Sequence, residues 1–77
     1  MVKSIQTKEH AIFVKHLRQA RLEAGLTQVQ VAKKLRRPQS HISNIESRQQ
    51  RVDVVELKTF AKLYNKDINY FIKSIII

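Results

Sequence analysis

Cysteine is absent from the 77-residue chain, which excludes a disulfide scaffold, cysteine-based zinc sites and thiol chemistry together. Glycine and proline occur once each. Sandwiches and barrels need many turns, so this scarcity predicts helices joined by short loops. Acidic residues are also few: six Asp and Glu face fifteen Lys and Arg, a net charge of +9. Such a field favours polyanions, either nucleic acid or an anionic membrane surface. Long apolar runs are missing too. The longest is Ile75-Ile76-Ile77, far short of the roughly 17 residues a membrane span requires. The first segment is interrupted by Lys3, Lys8, Glu9 and His10, so the apolar stretch of a signal peptide is not there. With 43% apolar residues the chain stands well above the level of a disordered one. A small, soluble, cytoplasmic, basic domain is the expectation, with no membrane partner.

What is present is a recurring helical period. Repeats, low-complexity stretches and linkers are missing, so residues 1–77 are read as one domain, with an arm over 1–8 and a tail over 73–77. Phe13, Leu17, Ala20 and Ala24 fall on one stripe of a 3.6-residue period. They predict a first helix from about Lys8 to Ala24, closed by Gly25 in the left-handed conformation. Thr27 is a natural N-cap for a second helix, Gln28 to Leu35, whose buried edge is Val31, Ala32 and Leu35. After the turn Arg36-Arg37, Pro38 suits the first position of a third helix reaching about Ser47. Asp53 and Glu56 form a capping arrangement that opens a fourth, with Val54, Leu57, Phe60, Ala61 and Tyr64 as its apolar face and Asn65 as its terminator. Asp67 caps a last short helix, Ile68 to Lys73. The expected fold is all-α, with five helices.

The third helix is the informative one. Ile42 and Ile45 face inward, while Ser40, Ser43, Asn44 and Ser47 follow the i, i+3, i+4, i+7 rule on the other side, with Gln39 beside them. That face is contiguous, holds short hydrogen-bonding groups and carries neither Lys nor Arg. Two short helices joined by a tight turn, the second with an uncharged amide and hydroxyl face, describe a helix-turn-helix. Such a helix can pair with base edges in the major groove, where Gln or Asn bonds bidentately to adenine. Basic residues belong around it, toward phosphates. From Lys33 to Arg51 there are six Lys or Arg and one acidic residue, Glu46.

The run Leu17-Arg18-x-x-Arg21, then Gly25-Leu26-Thr27-Gln28, Val31-Ala32 and Ile42-Ser43-x-x-Glu46 resembles the helix-turn-helix regulators of bacterial and phage repressors. Pro38-Gln39-Ser40 and Arg51-Val52-Asp53-Val54-Val55-Glu56 look like a subgroup of small bacterial regulators. The resemblance spans about residues 13–72. It implies a compact five-helix bundle of the phage-repressor type, with helices 2 and 3 as the helix-turn-helix. The implied function is a transcriptional regulator, a repressor, that binds a palindromic operator in double-stranded DNA as a homodimer and resides with the nucleoid. An antitoxin of a toxin–antitoxin pair, or a restriction–modification controller protein, is the alternative use of the same fold. A toxin or polymerase partner stays open.

The resemblance also implies roles. Gln39, Ser40, His41, Ser43 and Asn44 match base-reading positions. Gln28 matches the glutamine that bonds a phosphate and braces the reading helix. Arg36, Arg37, Arg48 and Arg51 lie near the expected DNA backbone. Arg36 and Arg48 stand where many members have glycine, and a residue held there at positive φ costs roughly 1 kcal/mol. Arg21 and Glu46 match a buried structural ion pair. Tyr70, Phe71, Ile75, Ile76 and Ile77 are the expected dimer interface, because the end of the chain carries more apolar surface than a monomer easily covers. The alternative is that Ile68 and Phe71 finish the core. His10, His16 and His41 are too scattered for a metal site. Nothing points to a cofactor, and no nucleophile–base pair or phosphate loop supports an enzyme.

Overall fold

Four of the five helices begin beside a side chain that accepts from a free backbone amide, and four end through one repeated device. The computed structural model of the chain describes residues 7–73. Within them lie α1 (Lys8–Glu23), α2 (Gln28–Leu35), α3 (Gln39–Glu46), α4 (Val54–Leu63) and α5 (Asn69–Ile72), an all-α architecture. The segments at 1–6 and 74–77, and with them Ile75, Ile76 and Ile77, lie outside the described residues.

Thr7 caps α1 by accepting from the His10 amide at 3.1 Å. Thr27 and Gln30 close a full capping box on α2, at 3.1 and 2.9 Å. Asp53 caps α4 at 2.7 Å, and the Asp67 carboxylate accepts from the Asn69 amide at 2.8 Å. Pro38 differs from expectation. Its ψ of 152° leaves it just outside α3, as the extended N-cap, so the helix starts at Gln39.

At the ends of α1, α2, α3 and α4 a left-handed residue sends its amide to the carbonyl three residues back, and the next amide reaches five back. This is the Schellman arrangement. The left-handed residues are Gly25, Arg36, Arg48 and Asn65, with φ of 72°, 56°, 65° and 56°. Gly25 adopts this conformation without a Cβ penalty, and Asn65 tolerates it better than most. The two arginines bear the steric cost, and both stand beside α3.

The core gathers one face from every helix: Leu17 and Ala20, Val31 and Ala32, Ile42 and Ile45, Leu57, Phe60 and Ala61, then Tyr64 and Phe71. Two details depart from the periodic reading. Val14 is buried and Phe13 only partly so, while Ala24, beyond the last helical turn, is exposed. On α4, Val54 is 71% exposed and does not join the buried face of Leu57, Phe60 and Ala61. Helices α2 and α3 pack directly on each other, and α1 packs on α3 and α5. This holds α3 with its inner side in the core and its other side outward.

Candidate nucleic-acid interface

Gln39, Ser40, Ser43, Asn44 and Ser47 are all exposed, while Ile42 and Ile45, each 1% exposed, anchor the same helix from behind. Successive turns of α3 therefore present an uninterrupted outward row of one amide-rich and hydroxyl-rich chemistry. Short neutral groups of this kind donate and accept at once, which suits the mixed donor–acceptor edges of base pairs.

His41, one position along, does not join that row. Its Nε2 lies 2.9 and 3.0 Å from the two Glu56 carboxylate oxygens, and its Nδ1 lies 2.9 Å from the Gln50 side-chain nitrogen. With 11% of the side chain exposed and both ring nitrogens engaged, the imidazole is turned toward α4. The helical period puts residue 41 at the border between faces, and the two polar partners draw it inward.

Behind the row sits a polar anchor. Arg21 donates from Nε and Nη2 to the two oxygens of Glu46 at 2.7 and 3.0 Å, and from Nη1 to the Leu26 carbonyl at 2.9 Å. The Gln28 amide adds a third bond to Glu46 at 3.1 Å. The Arg21 and Glu46 side chains are 9% and 5% exposed. The Glu46 hydrogen bond raises the Arg21 pKa against the opposing effect of burial. One carboxylate at the end of α3 is thereby tied to α1 and to the first turn of α2. Gln28 is half-buried, and its side-chain amide is directed to Glu46.

Cations border α3 at both ends. Arg36 and Arg37 are exposed in the turn before it; Arg51 is exposed and Arg48 half-buried in the segment after it. The Schellman closures fix the backbone beneath Arg36 and Arg48. A groove of about 350 Å³ between α1 and the end of α3 brings Lys15 and Arg18 to the same place as Arg48. Sequence periodicity registers Lys15 and Arg18 only as lying off the apolar stripe. Their proximity to Arg48 comes from the packing of α1 on α3. At the start of α1, burial first, and then the Arg51 and Arg48 guanidiniums, lower the His10 pKa.

The expected dimer residues separate. Phe71 is 0% exposed, with its ring against Phe13 and Tyr70 at centroid distances of 6.4 and 5.1 Å. The core of a single chain takes it up completely, which removes it from any surface offered to a second copy. Tyr70 is half-buried, edge-on to His16 at 5.5 Å and under Lys66 Nζ at 4.6 Å. Among the described residues no three of His, Asp and Glu come together as a metal site, and no helix is long and apolar enough to cross a membrane.

Residues 17–71 match the model of a protein family described as helix-turn-helix. The match runs from the first core leucine of α1 to the buried ring of α5, and so takes in the anchor, the turn and the outward row. No curated protein is similar enough to match the chain.

Proposed function

Because the chain belongs to the helix-turn-helix family typical of phage and bacterial repressors, a DNA-binding regulatory fold rather than a catalytic one, we propose that it is a sequence-specific transcriptional repressor. It reads duplex DNA by laying the outward row of α3 in the major groove. The observation that carries this reading is the division of labour around α3. Neutral Gln39, Ser40, Ser43 and Asn44 face outward, and Arg36, Arg37, Arg48 and Arg51 flank them. Neutral amides discriminate bases, whereas guanidiniums grip phosphates without regard to sequence. Gln28, at the first turn of α2, adds a phosphate contact through a helix N-terminus, and Lys15 and Arg18 extend the basic border.

One such helix reads only a few base pairs. Two copies on a two-fold axis read half-sites about 34–36 Å apart, so the operator is palindromic and the bound form is a homodimer. Tyr70 is the described residue assigned to that pairing; Ile75, Ile76 and Ile77, assigned with it from the sequence, lie outside the described residues. The stoichiometry of the complex, two chains per site, is read by sedimentation on a DNA fragment selected from a random pool.

Two substitutions separate the assigned roles. Gln39→Ala should cost about 1–3 kcal/mol on the selected site and little on random DNA, measured by titration of both duplexes at one salt concentration. An equal loss on both would make Gln39 a phosphate contact.

Arg48→Gly should move stability and binding in opposite directions. Relief of the left-handed arginine stabilises the fold by up to roughly 1 kcal/mol, while loss of the guanidinium flattens the salt dependence of binding by about 0.9. Thermal melting and a salt series on the same preparation check both halves. An unchanged salt slope would take Arg48 off the phosphate surface.

A further inference from the structure

Helix α3 packs closely on α1 and α2, and its backbone stands farther from that of α4. Side chains bridge that distance. Ile42, Ile45, Leu57 and Phe60 meet in the core, and the polar bridge is His41. Its two partners sit on different parts of the chain: Glu56 in the first turn of α4, and Gln50 in the connection that carries Arg48 and Arg51.

The partners determine where the imidazole proton resides. A carboxylate only accepts, so Nε2 bears the hydrogen and donates to Glu56. In that neutral tautomer Nδ1 is an acceptor, and it takes its hydrogen bond from the Gln50 amide. Glu56 could instead turn back to the Asp53 backbone amide and complete a capping box. Only the Asp53 half of such a box is made, at 2.7 Å, and the Glu56 carboxylate goes to His41. Gln50 directly precedes Arg51, so an anchor on Gln50 is an anchor on the base of that arginine.

We infer that His41 is a positioning residue for DNA recognition: through Glu56 and Gln50 it locks the arginine-bearing connection to the reading helix, and it touches no base. The inference rests on the DNA-binding reading above. It gives residue 41, on the recognition helix itself, a part in affinity and not in sequence choice. Arg48 is already held by the closure of α3, so Arg51 is the guanidinium that depends most on the lock.

The test uses the full chain with four substitutions, each titrated on the selected site and on random duplex over a salt series. His41→Ala removes both arms and should weaken binding to the two duplexes alike, flattening the salt slope by about 0.9 for each guanidinium released. Gln50→Ala removes only the arm to the connection and should reproduce that loss even if His41→Ala fails to fold. His41→Asn keeps an acceptor near the Nδ1 position and should restore the slope. His41→Gln keeps a donor near Nε2, holds Glu56 alone, and should not. A wild-type slope in both His41→Ala and Gln50→Ala would overturn the proposal, as would a loss confined to one base pair of the selected site, which would make His41 a base reader. ¹⁵N spectra of the free wild-type chain in mildly alkaline buffer test the lock without DNA. The Nε2–H tautomer supports it, and the Nδ1–H tautomer overturns it. A wild-type chain that binds no duplex but shows the Nε2–H tautomer would refute the DNA reading and leave the lock standing.

Discussion

Glu46→Ala should lower the melting temperature by at least about 12 °C. Removing one partner of a buried ion pair costs about 3–5 kcal/mol, and each kcal/mol is worth about 4–8 °C in a domain of this size. The loss is large because Glu46 is a junction. Two Arg21 nitrogens and the Gln28 amide converge on its oxygens, and the substitution leaves a guanidinium in a 9% exposed position with the Leu26 carbonyl as its remaining partner. An uncompensated charge held away from water is the expensive outcome, more than the loss of the attraction itself. Glu46→Gln retains the shape and one acceptor, so it should lose distinctly less. Thermal unfolding followed by circular dichroism at low salt compares the two. A Glu46→Ala chain that melts like the wild type but fails on DNA would transfer the residue from the scaffold to the interface.

Phe71→Ala should destabilise by about 3–5 kcal/mol, the usual cost of deleting a buried aromatic ring. The ring is entirely enclosed, and its edge contact with Phe13 fastens α5 to α1. A four-residue helix cannot persist alone, so losing the ring should release α5 with it. The result to look for is early unfolding of the monomer. A variant that folds with wild-type stability and merely ceases to self-associate would return Phe71 to the dimer surface. Tyr70→Ala is the contrasting substitution: its half-buried ring should cost less stability, and any effect on association would show in sedimentation of a still-folded chain.

Phe71 and His41 show where a reading of the chain by itself stops. In both cases the residue type and helical position are legible from the sequence, and the neighbours are not. Phe71 carries the same apolar character whether a core or a second copy covers it. Only the approach of α1, more than fifty positions earlier, decides between them. His41 lies beside base-reading positions, and its partner Glu56 is fifteen residues away. Glu56 in turn is recognisable as half of a capping pair, a local role that the tertiary arrangement overrides.

The sequence by itself determined the helical class, the succession of five helices and their caps at Thr27, Asp53 and Asp67. It also determined the closures at Gly25 and Asn65, and the neutral row Gln39, Ser40, Ser43 and Asn44. All of these depend on spacing within a few residues, where backbone hydrogen bonding and a 3.6-residue period leave little choice. Only the tertiary structure decided that Val14 and not Ala24 completes the α1 face, that Lys15 and Arg18 share a groove with Arg48, that Phe71 lies inside, and that His41 is tied to Glu56 and Gln50. Each of those depends on which distant segment packs beside the residue. Many side-chain placements satisfy the same local pattern, and the close-packed interior selects one of them.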